Sequence, residues 1–351
     1  MAAEITIHGA GPVGCVLALL LQQDRQGVAL VGRRKTGPAA LRPIALSHAS
    51  RLILERAGAW QALAPTPIER IHVSQQGGFG RTELHAADAG VPALGYVIDY
   101  RELMAALERC VAQVGIHVTD GTGECALAVH AEGASAEAKE KSYRQEAMVA
   151  LVKTQPAAAG TAWERFTAEG PLALLPLGGH LCAVWGMSPA RAQALSDAPD
   201  ALFLEALQQA IGRRAGAFVA AGERSRVPLA LRVRPSRVGE RAAFIGNAAQ
   251  TLHPVAGQGL NLGLRDAWDL AQVLRGAADP GAADVLGRFA ARRRLDAAST
   301  VRVTDFLAGA FLGRDPIAGL MRGIGLTALD ICLPARRFFA RRMIYGASAL
   351  P

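Results

Sequence analysis

The sequence predicts an α/β fold, and three observations carry that expectation. A strand, a helix and a second strand follow one another at the N-terminus. Short apolar runs bounded by glycine and proline fill the middle, and apolar residues recur at helical spacing through the C-terminal third. With 351 residues the chain is long enough for two domains, or for one large α/β domain carrying an inserted sheet, and either buries a sizeable core.

Taken in order, Ile5-Thr6-Ile7-His8 reads as a strand, Val13 to Gln22 as a helix and Val28 to Val31 as a second strand, which together form one βαβ unit. A helix around Leu52 to Leu63 follows, then a strand at Ile71 to Ser74, a turn through Gly77-Gly78-Phe79-Gly80 and a helix from Arg101 to Gln113. Ala131 to Gln145 is polar and small, and a strand resumes at Ala147 to Val152. The uncharged run Gly170 to Ala190 has the length of a membrane span, but Pro171, Pro176, Gly178, Gly179, Gly186 and Pro189 interrupt it. It reads instead as a buried hairpin, Leu172 to Leu177 against Leu181 to Trp185, with Gly178-Gly179 supplying the positive φ angles of a tight turn. A helix at Ala201 to Ile211 and strands at Val227 to Val233 and Ala242 to Ile245 complete the middle. The remainder is helical, with Arg-rich breaks at Arg292 to Arg294 and Arg336-Arg337.

Composition narrows the function. Aromatic residues make up 5% of the chain, too few for a nucleic-acid stacking surface, so no nucleic-acid partner is expected. The net charge of +8 is almost all arginine, densest from Arg213 to Arg241 and from Arg314 to Arg342. Arginine suits phosphate groups and acidic lipid surfaces, while a solvated basic face accounts for the same charge equally well. The five cysteines form no Cys-x-x-Cys pair and no histidine stands beside them at ligand spacing, so no metal site is expected. Met1 to Glu4 carries no basic leader region, which points to a reducing cytoplasm.

Two glycine-rich turns carry the chemistry. Gly9-Ala10-Gly11-Pro12-Val13-Gly14 is a G-x-G-x-x-G directly after a strand and opening a helix. In that setting the first glycine permits the turn, the second lets backbone N–H groups approach a pyrophosphate, and the third packs helix on strand. The place after the second strand, where an acid usually meets the ribose, holds Gly32 followed by Arg33 and Arg34. A basic pair there also suits a 2′-phosphate, which keeps an NADP dehydrogenase in play. The second turn runs from Phe244 through Gly246-Asn247-Ala248-Ala249-Gln250 and His253-Pro254 to Gly257-Gln258-Gly259-Leu260-Asn261. Leu260, Leu264, Ala267, Ala271 and Leu274 then recur at helical spacing, with Arg265, Asp266, Asp269 and Gln272 elsewhere on the wheel. The helix N-terminus falls at the glycines, where its N–H groups favour negative charge and small residues admit a flat ring.

This second block resembles the flavin-binding signature G-D-A-A-H-x-x-x-P-x-x-G-x-G-x-N of the class A FAD-dependent aromatic hydroxylases, the para-hydroxybenzoate hydroxylase relatives. Within them the chain is most similar to the ubiquinone-biosynthesis branch and its 2-polyprenyl-6-methoxyphenol hydroxylases. The likeness extends to Arg42 to Ser47, Ile71 to Ser74, Leu94 to Val97, Trp163-Glu164-Arg165-Phe166 and Gly170 to Pro176. It implies a Rossmann-like FAD-binding domain (residues 1–65, 96–133 and 238–310) interleaved with a smaller β-sheet substrate domain (66–95 and 134–237), and a helical C-terminal segment (311–351). Gly9, Gly11 and Gly14, with Pro12 and Val13 between them, would hold the FAD pyrophosphate. Arg33 joins the cofactor-binding set, and Arg42 and Arg101 would line the FAD, unless they form surface ion pairs. Asn247 would meet the ribityl-diphosphate region, and Pro254, Gly257, Gln258, Gly259, Leu260 and Asn261 would lie against the isoalloxazine. His253 is expected to be structural.

The resemblance further implies transient reduction by NAD(P)H, a flavin C4a-hydroperoxide and oxygen transfer to a lipid-tailed phenol. It leaves no residue assigned as base. The Arg-rich tail suits a place at the inner-membrane surface or in a ubiquinone-synthesis complex, with ordinary helices closing the domain as the alternative. Three departures stand against a complete cofactor site: Gly32, the Glu132-Gly133 pair where Asp-Gly is expected, and the short stretch from Thr119 to Ala131. They predict weakened FAD binding that an acid at Gly32 would restore, and they leave open a non-catalytic member of such a complex.

Overall fold

In the computed structural model of the chain, residues 4–32, 42–121, 123–133, 137–157, 159–253, 257–310 and 316–347 are described. The N-terminal βαβ unit forms as expected: β1 (Ile5–His8), α1 (Pro12–Gln23) and β2 (Val28–Val31). It founds a six-stranded sheet in the order β15 (Val238–Gly239), β16 (Ala242–Phe244), β9 (Leu127–His130), β1, β2, β8 (Val118–Thr119), parallel throughout except for the β15–β16 hairpin. Parallel strands are covered on both faces, which is why Ile5, Ile7, Leu127 and Val129 are fully buried beneath α1, α4 (Tyr100–Gln113) and α7 (Gln258–Leu274). At the carboxyl ends of these strands His8, His130 and Phe244 stack ring on ring, with centroids 5.0 and 4.9 Å apart.

A second sheet of eight strands runs in the order β17 (Gln250–Thr251), β14 (Ala217–Val233), β10 (Lys139–Gln155), β13 (His180–Met187), β12 (Pro171–Leu177), β11 (Thr161–Phe166), β5 (Arg70–Gln75), β6 (Arg81–His85). The hairpin read from the sequence is β12–β13, and Gly178 and Gly179 take φ of 55° and 81° at its turn. Alternation sorts the strand residues. Met148, Ala150, Trp163, Leu172, Leu174, Ala183 and Trp185 face α5 (Pro189–Asp197) and α6 (Asp200–Ile211) in one buried cluster, and the opposite face looks away from those helices. A three-stranded antiparallel sheet, β3 (Pro43–Ser47), β7 (Gly95–Asp99) and β4 (Thr66–Ile68), completes the set, with the one-turn helix α3 (Ala86–Ala89) following β6.

Some elements differ from the sequence reading. The strands expected at 147–152 and 227–233 each extend to 17 residues, because they pair with one another along most of their length and that long-range ladder recruits polar flanks. The helix expected over 52–63 divides into α2 (His48–Arg56) and a short 3₁₀ turn (Trp60–Ala62), separated at Gly58 with φ of 78°. Helix α5 lies where no helix was expected, although Ser188 caps it and Pro189 opens it. The C-terminal helices are α8 (Ala283–Ala310), α9 (Pro316–Ile331) and α10 (Leu333–Tyr345). Among the described residues no helix is long and apolar enough to cross a membrane, and no cluster of His, Cys, Asp or Glu has the arrangement of a metal site.

Candidate functional site

The three glycines of the first turn differ in what surrounds them. A Cβ on Gly14 would lie 1.9 Å from the Gly9 carbonyl oxygen, so only glycine lets α1 sit this close to β1. Gly9 has φ of 119°, and a Cβ there would lie 2.7 Å from Cβ of Glu132, which places the exposed Glu132 beside the turn. Gly11 is different: it has extended backbone, caps α1 without any side-chain bond, and a Cβ added to it meets nothing within 4 Å. Pro12 occupies the first turn of the helix, where a missing N–H costs nothing. The Val13 side chain docks α1 onto the second turn: Cβ atoms built at Gly246 and Gly263 would lie 3.1 and 2.8 Å from one of its methyls.

In the second turn, Gly246 adopts φ of 56° and opens a 3₁₀ turn on which Asn247 is exposed. The turn is held from below by Asp266, whose Oδ2 accepts from the Gly246 N–H (3.2 Å), Gln250 Nε2 (2.9 Å) and Arg237 Nη1 (3.1 Å). Gly257, at φ of 59°, begins α7 with no side-chain cap, and a Cβ on Gly259 again meets nothing within 4 Å. Leu260 is half-buried against the main core, and the buried Gln258 side chain reaches the Met343 carbonyl at 3.4 Å. Asn261 is fully engaged by the protein. Its Oδ1 accepts from the Ser47 N–H (2.8 Å) and Ser50 Oγ (2.6 Å), and its Nδ2 donates to the carbonyls of Ala45 (2.9 Å) and Gly257 (2.7 Å), so it staples β3 to the start of α7. Arg33 and Pro254 lie outside the described residues.

Arg42 and Arg101 lie at the same end of the three-stranded sheet. Exposed Arg42 lies over the Tyr100 ring, 5.0 Å from its centroid, and Arg101 donates from Nε to Asp99 Oδ2 at 2.7 Å. Arg101 thus forms a surface ion pair with its near neighbour while its side chain stays half-exposed. Gly32 also needs correction as a place for a restored acid. A Cβ there would lie 2.8 Å from both the backbone N and the Cβ of Ala10, so a glutamate at this position would push into the glycine turn rather than reach a ribose.

The charged side of α7 is buried, not solvated. Arg293 on α8 donates to Asp266 (2.8 Å), Asp269 (2.7 Å) and Asp296 (2.7 Å), and Arg265 donates to Asp296 (2.8 Å). Burial alone would raise the Asp296 carboxyl, but the charges of Arg265 and Arg293 outweigh it and hold that group down at about 2.

The face of the eight-stranded sheet turned away from α5 and α6 lines a pocket with Ala147, Glu164, Pro171, Ala173, Val184, Gly186 and Leu229, closed by His253 from the segment leading into α7. His253 is 1% exposed and packs edge-on against Tyr143 at 5.0 Å, and burial pushes it down to about 4, so it is neutral at ordinary pH. Glu164 is the acidic group in this lining. Burial raises its carboxyl to about 7, and no hydrogen bond or ion pair reaches it among the described residues. Neither Glu164 nor the Asp266–Arg293 network was assigned from the sequence; the one available signal was alternation in β11, which sets Glu164 and Trp163 on opposite faces.

Residues 119–304, more than half of the chain, match the family described as FAD binding domain. The chain is 30% identical to the ubiquinone hydroxylase UbiL of Rhodospirillum rubrum, over 97% of its own length and 89% of that protein. The chain belongs to the FAD-dependent aromatic hydroxylase family. The hydroxylase is also 29% identical to the 3-demethoxyubiquinol 3-hydroxylase of Escherichia coli, over 93% of the chain and 94% of that protein. Its fold is that of the p-nitrophenol 4-monooxygenase PnpA from Pseudomonas putida, with a TM-score of 0.79 at 14% identity, 99% of each chain being covered. The P. aeruginosa protein PqsL in complex with 2-aminobenzoylacetate shares it too, with a TM-score of 0.77 at 19% identity over 92% of this chain and 100% of that one. Family membership decides for a flavoprotein over an NADP dehydrogenase. The hydroxylase has residues that fit FAD: two helix N-termini without side-chain caps, each with open space beside a glycine, Gly11 and Gly259.

Proposed function

We propose that this chain hydroxylates the ring of a polyprenylated phenol in ubiquinone biosynthesis, using NAD(P)H and O₂. The observation that carries the reading is the pocket on the open sheet face, bounded by the same segment, through His253, that leads into the glycine turn of α7. The curated relatives named for ubiquinone hydroxylation, matched over nearly the whole chain, support the substrate class. Bound FAD supplies the redox chemistry, with electrons from NAD(P)H and with one atom of O₂ going to the ring and the other to water.

The chain's own residues bind and orient. Gly9, Gly11 and Gly14 are proposed to take the pyrophosphate at the start of α1, Asn247 the ribityl-diphosphate region, and Gly257 to Leu260 the ring edge, with Asn261 fixing the turn. Ala147, Ala173 and Gly186 are small and keep the lining low over the sheet, and Val184, Pro171 and Leu229 make it apolar, the character a prenylated ring would meet. The division into flavin segments (1–65, 96–133, 238–310) and substrate segments (66–95, 134–237) is supported by how the strands sort between the two large sheets, with β17 the exception. Peripheral membrane association is supported by the exposed Leu320, Met321 and Ile324 on α9 and by the exposed Arg337 and Arg341 on α10.

The test is to purify the chain, titrate FAD by fluorescence quenching, and then supply NADH or NADPH, O₂ and a short prenylated phenol. Expected are saturable FAD binding, oxygen consumption that depends on the phenol, and a product one oxygen atom heavier. A chain that binds FAD yet gives no hydroxylated product with any prenylated phenol refutes the substrate assignment.

A further inference from the structure

The pocket on the open face of the eight-stranded sheet is lined almost entirely by small and apolar side chains. Ala147 stands on β10, Val184 and Gly186 on β13, Pro171 and Ala173 on β12, and Leu229 on β14. Into this lining one acidic side chain is set. Glu164 pairs in register with Ala173 on one side and Val73 on the other, so neither flanking strand offers it a charged or hydrogen-bonding side chain at its own level. The neighbouring arginine on its strand, Arg165, points to the other face, where Nη1 donates to Ser74 Oγ at 3.1 Å. Across the pocket stands His253, held neutral by burial. An acidic group in an apolar pocket without a partner is destabilising by itself, and the ordinary resolution in folded proteins is pairing. Here the side that remains for a partner is the pocket interior.

We propose that Glu164 receives the substrate's ring hydroxyl: its carboxylate accepts a hydrogen bond from the phenol O–H and acts as the base for that proton. This rests on the phenol reading above and assigns a residue to it. When the O–H bond breaks, its electron pair stays on the ring oxygen and the proton passes to a Glu164 oxygen, leaving a phenolate and a neutral carboxylic acid. A phenolate is the more electron-rich ring, the form that best accepts an electrophilic oxygen. A phenol titrates near 10, so a carboxyl raised to about 7 is a better-matched acceptor than an ordinary one. Arg165 and Arg214 lie on the far face, with Arg214 at 3.0 Å from His72, and His253 is the one titratable group facing Glu164 among the described lining residues.

The experiment uses the FAD-loaded chain and two probes, 2-prenylphenol and its methyl ether, with binding read from the perturbation of the flavin absorption band between pH 5.5 and 8.5. In the wild type, phenol affinity should rise as pH rises through about 7, because the ionised carboxylate accepts the bond more strongly than the neutral acid, while the ether should show no such rise. Glu164→Gln should bind the phenol roughly ten- to a hundred-fold more weakly at pH 8, the loss expected for a hydrogen bond to a charged acceptor, and should flatten the pH profile. Its ether affinity and FAD affinity should be unchanged. Ala147→Leu, which fills the pocket from β10, three strands away from the acid, should weaken phenol and ether alike. Wild-type protein that binds FAD and the phenol, with Glu164→Gln matching it in affinity and pH profile, overturns this assignment alone. Wild-type protein that binds FAD but no prenylated phenol overturns the substrate reading, and this assignment with it.

Discussion

Gly11 and Gly14 stand three residues apart in one motif and answer substitution in opposite ways. At Gly14 any side chain strikes the Gly9 carbonyl, and the damage is to the fold. At Gly11 the backbone is extended and the space beyond it is clear of protein, so Gly11→Val should leave the melting temperature within about 2 °C of wild type, as surface changes of under ~0.5 kcal/mol do. The same valine would stand where the pyrophosphate approaches the backbone, and FAD affinity should fall more than about ten-fold, a cost of roughly 1.4 kcal/mol or greater. A flavin titration beside a thermal melt separates the two effects; equal FAD affinity in the two proteins would remove Gly11 from the site. The glycine turns were legible in the sequence because their logic is local: a strand, a turn and a helix start lie within a few residues. Glu164 was not, since its meaning comes from Ala173, Val184 and His253, which only the sheet and the α7 entry bring to it.

Helix α7 shows how an element can be recognised while its energetics stay hidden. Its apolar spacing identified it, but Arg265, Asp266 and Asp269 fell on what a helical wheel alone presents as the polar side. Helix α8 covers that side and turns it into a buried ionic layer, which no periodicity within α7 could announce. Asp266 also accepts from the Gly246 N–H, so the layer and the Gly246 turn share one carboxylate. Asp266→Ala strands Arg293 and Arg237 without that partner, and removing one member of a buried pair typically costs about 3–5 kcal/mol. Urea unfolding should show that loss, and FAD affinity should fall with it. A protein that stays as stable as wild type would mean that Asp269 and Asp296 suffice for Arg293.

Across the whole molecule, the interleaving of the two large sheets was legible in outline from the resemblance and from the hairpin, while the long β10–β14 ladder was not, because its polar ends are ordered by each other rather than by their own pattern. At the surface, Ile317, Leu320, Met321 and Ile324 recur at i, i+3, i+4 and i+7 on α9 and are 48–71% exposed, a continuous apolar stripe. Met321→Asp with Ile324→Asp should reduce co-sedimentation with vesicles containing anionic lipid while leaving FAD binding intact; undiminished, salt-insensitive co-sedimentation would exclude this face as the contact.

The contact between Ala347 and Asp296, where the backbone N–H donates to Oδ1 at 2.8 Å, reaches further than its single bond. Asp296 holds Arg293, Arg293 holds Asp266, and Asp266 holds the turn at Gly246. During synthesis α7 leaves the ribosome carrying charges whose partners on α8 have not yet been made, and the last tie arrives only with the residues after α10. Contacts this distant in sequence close late. The relay from Gly246 to Ala347 is therefore complete only after α10 has been made.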